Sequence, residues 1–311
     1  MKKLVIVAII LVLLSTSVGI ALAKDNLSGT ISMSGAWALY PLAVKWGEAF
    51  KQVHPNVKLD ISAGGAGKGM TDVLAGAVDL GMVSREIDKA EKAKGAVPIF
   101  VAKDGVFLTV NANNPALKAI LAHGLSKEKL VDIFITGKIK TWKDAVPGGP
   151  DLPIHVYTRS DSCGAASAWA ATLGKYKQEN LRGTGVNSDP GLLDQVKKDR
   201  AGIGYNNLSF LFVKGKVMPG VCIVPLDMKG NGQLTPGDKI DSEKKAFDEI
   251  SAGRYPGARK EYLVAKGSVK GLAAEFVKFA LSDSGTKVLL NTGGFVPLTR
   301  QERIAQLALV K

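Results

Sequence analysis

Hydrophobic positions along this chain follow two alternating periods. Val57, Leu59 and Ile61 alternate with Lys58, Asp60 and Ser62, the two-residue period of a half-buried strand. Leu42, Trp46, Phe50 and Val53 recur every three or four residues, which predicts a helix with Pro41 in its first turn. Gly29 to Met33 reads as a strand before that helix. Met70, Val73, Leu74 and Ala77 mark a second helix, entered through Ala63-Gly64-Gly65-Ala66-Gly67-Lys68-Gly69. The same order returns at His155 to Gly174. A strand ends near Thr158, a polar turn follows, and Ala166, Trp169, Ala170 and Leu173 form one face of a helix. Asp161 or Ser162 can cap that helix, and Gly174 can end it.

Strand, small-residue loop and helix repeated in this way predict an α/β protein. Val97 to Val110 holds two apolar segments around Asp104-Gly105, and Asn111 to Pro115 reads as a turn. Helices follow at Leu125 to Ile135 and Leu192 to Lys198, with strands near Tyr205 and Cys222. Tyr262-Leu263-Val264 reads as a returning strand, and helices around Phe276 and Val288 close the chain. The chain is thus expected to leave one domain (24–108), build a second (109–255) and return (256–311). Two crossings between α/β domains suit hinge closure over a ligand.

Ligands of open α/β sheets gather at the carboxyl ends of the strands. Three loops here lead from such an end into a helix start, where exposed N–H groups and partial positive charge favour anions. Arg159 adds a guanidinium beside one of them, with Asp161 placed to orient it. The same residues also suit an ordinary capped helix with a surface ion pair.

Charge and composition narrow the picture. Lys2 and Lys3 precede an apolar run, Leu4 to Leu14, and Ala21-Leu22-Ala23 suits cleavage, so residues 1–23 read as a signal peptide and the protein as exported, periplasmic or extracellular. No cysteine follows the run, which argues against a lipid anchor. The 41 basic and 28 acidic residues give a net charge of +13, which favours anionic partners in general. The lysines are scattered and lack aromatic platforms, so nucleic acid is not an expected partner. His54, His123 and His155 match no metal spacing, and no cofactor motif is present. Cys163 and Cys222 can pair or stay thiols. At a helix start Cys163 is expected to have a lowered pKa, which raises an enzymatic alternative with His155 as base, but no spacing supports that pair. A non-enzymatic role is therefore expected.

The order and spacing of several stretches resemble one family closely. They are Gly35 to Trp46, Gly64 to Arg85, Lys103 to Pro115, Leu125 to Trp142, Arg159 to Gly164, Gly202 to Tyr205, Tyr255 to Val264 and Ser282 to Leu298. Together they resemble the extracytoplasmic phosphate-binding receptors of phosphate ABC transporters. The resemblance implies a type II periplasmic-binding fold and a monomer that delivers phosphate, or a similar oxyanion, to a membrane permease and its ATPase. Carried over residue by residue, it implies ligand contacts at Ala36, Trp37, Ala66, Ser84, Arg85, Arg159, Asp161, Ser162, Cys163 and Gly164. This chain departs from the family where hydroxyls are usual: Ala36, Trp37 and Ala38 stand in the first loop, Ala66 replaces a serine, and Ser162-Cys163-Gly164-Ala165 replaces Gly-Ser-Gly-Thr. The departures leave a second possibility: the fold is kept for another oxyanion, or for contact with proteins or the cell surface. Arg159, as a cleft residue, is expected to matter little for folding.

Overall fold

The computed structural model describes residues 27–227 and 229–311, so the expected signal peptide lies outside the described residues. No helix among the described residues is long and apolar enough to cross a membrane.

The first strand, β1 (Gly29–Gly35), leads into helix α1 (Tyr40–Val53), which carries Pro41 in its first turn. Leu42, Trp46 and Phe50 are fully buried, and Trp46 Nε1 donates to the Gly285 carbonyl at 2.9 Å. Val53, expected on the same face, is the last helical residue and is exposed. Strand β2 (Val57–Ala63) is followed by α2 (Ala66–Ala75). Gly76, at φ 75°, ends α2 in the left-handed conformation, so Ala77 lies past the helix and not on its face. Strand β3 (Leu80–Val83) completes this first series. The two apolar segments expected around Asp104 form one strand of 16 residues, β4 (Ala96–Asn111).

Beyond β4 come strand β5 (His155–Arg159), helix α3 (Gly164–Leu173), strand β6 (Thr184–Val186), helix α4 (Asp189–Lys198), strand β7 (Gly202–Asn207) and strand β8 (Val221–Ile223). Strand β9 (Ala258–Lys266) returns to the first series, followed by helices α5 (Gly271–Leu281), α6 (Asp283–Thr292) and α7 (Arg300–Leu307).

These nine strands make one sheet, ordered β2-β1-β3-β9-β4-β7-β5-β6, with β8 also paired to β4. Each half repeats one plan. In the first, β1 pairs in parallel with β2 and β3, and β9 lies antiparallel between β3 and β4. In the second, β5 pairs in parallel with β6 and β7, and β4 lies antiparallel between β7 and β8. Strands β4 and β9 are therefore the two crossings. Each half has its own apolar core. One includes Trp46, Met82, Leu263 and Phe276, and the other Phe107, Phe134, Trp169 and Tyr205. In the second core the rings of Trp169 and Tyr205 stack at 5.8 Å, with Phe134 edge-on to Trp169 at 5.6 Å.

Between the cores, the crossing strands bury charge instead of hydrocarbon. Asp104 and Arg259 are register partners on β4 and β9, and Glu261 follows two residues on, beside a bulge between Glu261 and Tyr262. Neither carboxyl oxygen of Glu261 receives a hydrogen bond. Burial pushes its carboxyl well above the usual range; Arg259 pulls it down, and the charge of Asp104 raises it again.

That buried acid makes stability depend on pH. The unfolded chain loses the Glu261 proton near about pH 4.3, while the folded chain holds it to higher pH. Between those two values the folded state binds more protons, so the contribution of this group falls as pH rises. Glutamine carries no such cost. The stability of Glu261→Gln relative to the parent, read from thermal unfolding, should rise from about pH 4 to about pH 8, by at most about 1.4 kcal/mol per pH unit. A difference that does not change with pH would show Glu261 ionised in the folded protein.

Candidate anion site

The loops at the strand ends are tied to each other by backbone hydrogen bonds. The Gly35 carbonyl accepts from both Gly64 and Gly65 N–H at 2.9 Å, and Ala36 N–H donates to the Met82 carbonyl at 2.8 Å. The first loop, the glycine loop and the end of β3 thus form one surface. Ala36 and Ala66 are buried on it, and Trp37 is half-buried. Lys68, in the first turn of α2, is half-exposed and paired with Asp72, which also accepts from Ser34 Oγ at 2.6 Å.

Opposite stands Arg159, the last residue of β5. The Tyr205 hydroxyl fixes this strand end, sharing a hydrogen bond with Thr158 Oγ1 (2.7 Å) and accepting from Arg159 N–H (3.2 Å). The Arg159 side chain is fully buried. Asp161 grips it at Nε (2.8 Å) and Nη2 (2.5 Å), the orienting role its position suggests. Asp189, which opens α4, lies with Oδ1 2.6 Å from Nη1. The two are close but out of line, so Nη1 is a buried nitrogen with no hydrogen-bond acceptor. Burial works against the charge on Arg159, but Asp189 and the other acids nearby outweigh it and raise the pKa further.

Neither Asp161 nor Ser162 caps α3. The cap is Cys163, whose Sγ accepts from Ala166 N–H at 3.4 Å. Asp161 is already committed to Arg159, and its backbone carbonyl accepts from Gln178 Nε2 at 2.7 Å. Gln178 Oε1 in turn accepts from Cys163 N–H at 3.1 Å. The Cys163 thiol is not activated. Burial pushes it up to about 12, against the pull of Arg159 and contrary to the expected lowering. His155, at the far end of β5, is bonded to Asp199 at 2.6 Å, and Cys163 and Cys222 are both free thiols. The arrangement offers no nucleophile and base. It does leave the Gly164 and Ala165 N–H groups, in the first turn of α3, without intrahelical acceptors.

The two halves meet over these groups. Gly67 N–H donates to the Ser162 carbonyl at 3.1 Å, and Ser209 Oγ to the Ala38 carbonyl at 3.4 Å. Ser84 is buried against Gly164: a Cβ on Gly164 would lie 2.1 Å from Ser84 Oγ and 2.2 Å from its carbonyl. Arg85 is held by Glu91 through two hydrogen bonds of 2.9 and 2.7 Å, and it lines a groove of about 590 Å³ with Ser162 and Arg259. Gly65 and Gly67 of the first half therefore meet Ser162 of the second, and Ser84 meets Gly164, while the Arg85 guanidinium is engaged in the groove beside them.

Sequence reasoning missed Gln178 and Asp189. The Ser188-Asp189-Pro190 run does carry a helix-start signal: Ser188 Oγ caps α4, accepting from Gly191 N–H at 3.2 Å. Ser188 also has the left-handed φ of 69° and donates its N–H to Asp161 at 3.2 Å, which no pattern in the sequence announces.

Two α/β domains of matching strand order, crossed twice and closed over buried cationic groups, define a solute-binding protein of the type II periplasmic-binding fold. The model for the PBP superfamily domain matches residues 22–284. The phosphate-binding protein PstS of Bacillus subtilis is 30% identical over 286 residues, covering 90% of this chain and 84% of that protein. Among solved structures, one from Clostridium perfringens, described as a phosphate ABC transporter substrate-binding protein with bound phosphate, superposes with a TM-score of 0.72 at 26% identity, covering 87% of this chain and all of that one. A phosphate transport receptor from Vibrio cholerae shares the fold, with a TM-score of 0.65 at 22% identity over 86% of this chain and all of that one. The chain belongs to the PstS family of phosphate-binding proteins within the PBP superfamily.

Gly164 tests the closed geometry. Its missing Cβ lets α3 reach Ser84, so Gly164→Ala should fold but resist closure. A loss of about 100-fold or more in ligand affinity is expected, roughly the 2.7 kcal/mol that such a ratio represents. Small-angle scattering with ligand should show the parent more compact than the variant. Equal compaction and equal affinity would mean that the cleft closes without this contact.

Proposed function

We propose that this protein is an exported receptor that captures phosphate in its interdomain cleft and hands it to a membrane permease and its ATPase. Domain I would comprise residues 24–108 and 256–311, and domain II residues 109–255. The observation that carries the reading is Arg159 Nη1, a fully buried guanidinium nitrogen without an acceptor, beside the start of α3. Asp189 pairs with that nitrogen by charge at 2.6 Å but out of line, so an oxyanion would complete its hydrogen bonding. Gly164 and Ala165 N–H groups supply further donors from the backbone, and Ser84 Oγ lies against them. The phosphate-binding names of the relatives support phosphate as the first anion to try.

In this reading Ala36, Trp37 and Ala66 contribute backbone and shape rather than hydroxyls. Arg159, Ser84, Ser162, Cys163 and Gly164 form the donor side, and Asp161 orients Arg159. Arg85 needs to leave Glu91 before it can reach an anion.

Calorimetry on the mature protein with phosphate, arsenate, sulfate, tungstate and molybdate tests the proposal. Heat with phosphate is the expected result. Silence with every anion would sink the receptor reading and favour a role in protein or cell-surface contact. Arg159→Ala should lose about 2–4 kcal/mol of phosphate binding, roughly 30- to 1000-fold. Arg159→Lys should recover part of it, because an ammonium lacks the planar fork. Contrary to the expectation from sequence, Arg159→Ala should also destabilise the fold, since it leaves the buried Asp189 without its ion-pair partner. Affinity must therefore be measured on protein shown to be folded.

A further inference from the structure

One side chain joins the two parts of the candidate anion site. Gln178 arrives on a short helical turn (Gln178–Asn180), after α3 has ended at Gly174. Its Nε2 donates to the Asp161 carbonyl at 2.7 Å, and its Oε1 accepts from Cys163 N–H at 3.1 Å. A carbonyl can only accept and an N–H can only donate, so these partners fix which end of the amide is which. Each end holds a residue with a second task. Asp161 grips the Arg159 guanidinium, and Cys163 caps α3. The amide therefore reaches across Ser162, from the anchor of the guanidinium to the start of the helix.

The N–H groups of that helix start can be accounted for one by one. Gln178 takes the Cys163 N–H, and Cys163 Sγ takes the Ala166 N–H. Cys163 thus serves the donor side as its cap rather than as a donor. The Gly164 and Ala165 N–H groups between them are left without intrahelical acceptors, the arrangement that receives an anion. Their direction follows α3, while the place of the guanidinium follows Asp161. Donors bind well when their mutual positions are set before the ligand arrives. We propose that Gln178 is a positioning residue of the anion site: it touches no anion, and it raises affinity by holding Arg159 and the start of α3 in a fixed relation. A neutral amide does this without adding charge beside Asp161 and Asp189. Gln178 also lines the groove of about 590 Å³ with Ser162 and Arg85, so a variant there meets water and folding should survive the change.

The inference rests on phosphate capture by this cleft, and its test separates the two. Phosphate affinity is measured by calorimetry for the parent, Gln178→Met and Gln178→Glu at about pH 7.5 and about pH 4, each protein first shown by thermal unfolding to be folded. Comparing proteins at one pH cancels the titration of phosphate itself. Methionine keeps the length and loses both hydrogen bonds, so it should bind at least about tenfold more weakly than the parent at both pH values. Glutamate at about pH 7.5 is ionised and sets an oxygen against the Asp161 carbonyl, so it should bind no better than methionine. Its ordinary pKa is about 4.3, and the carbonyl opposite favours the neutral acid, so at about pH 4 it is mostly protonated. The acid O–H then donates to the Asp161 carbonyl and its C=O accepts from Cys163 N–H, the two bonds of the parent amide. Gln178→Glu should return to within about threefold of the parent there, while Gln178→Met stays weak. Both variants are then neutral, so charge does not produce the difference. Gln178→Met binding within about twofold of the parent would overturn the inference and leave phosphate capture intact. So would a Gln178→Glu that stays as weak as Gln178→Met at about pH 4. Should Gln178→Met fail to fold, Gln178→Ala, which admits groove water, takes its place. No heat with phosphate from the parent would overturn both.

Discussion

Arg259 ties the two halves of the sheet together. It lies on β9, and its guanidinium reaches Asp104 on β4 at 2.6 Å, the Ser84 carbonyl past β3 at 3.1 Å, and the Asn207 side chain at the end of β7. One side chain thus holds both crossing strands and a strand end from each domain. Removing one partner from a buried ion pair costs about 3–5 kcal/mol, because the other is left charged and dry. Sliding β9 along β4 would break this pair, which is a direct register partnership. The register of the crossings is therefore locked. The strand ends that meet beside it are those carrying Gly67, Ser84, Ser162 and Gly164.

Those loops trade side-chain hydroxyls for close approach. Alanine at 36, 66 and 165 gives up polar contacts that, made to a charged group, are worth about 1.5–3 kcal/mol each. The same small residues let backbone meet backbone across the cleft, as Gly67 does with Ser162. Backbone N–H groups at a helix start are already oriented, so using them costs little side-chain entropy. The directions of these N–H groups are fixed by the positions of α2 and α3. Those positions depend on the apolar faces behind them, with Met70 and Val73 on one helix and Ala166, Trp169 and Leu173 on the other.

These apolar faces were also what the sequence displayed most clearly. Period-two and period-3.6 runs announced β2, α1, α2 and α3, and the paired crossings followed from the apolar stretches near Val97 and Tyr262. Boundaries were less legible. Val53 and Ala77 extended their helical patterns by a residue or two, and nothing local marks where burial stops. Arg159 and Asp161 could be paired from their spacing. Asp189 and Gln178, which hold the same turn, could not, because they arrive from later elements folded against β5 and α3. Cys163 misled for a related reason. A helix start lowers a thiol pKa when water or a cation stabilises the thiolate, but here burial outweighs Arg159.

The charge of the molecule acts at two ranges with opposite signs. At a distance the net charge of +13 favours approach of any anion. Salt screens that field over about 8 Å at physiological ionic strength, so it cannot distinguish one anion from another. At contact the balance reverses, since Asp161, Asp189, Asp104 and Glu261 face only Arg159 and Arg259. In the water-excluded floor of the cleft each charge counts several-fold more than at the surface. An oxyanion bound beside these acids would therefore depend on oriented N–H donors more than on net positive charge. Attraction is a property of the whole surface, whereas the buried charge network is set by a handful of groups on the crossing strands and their ends.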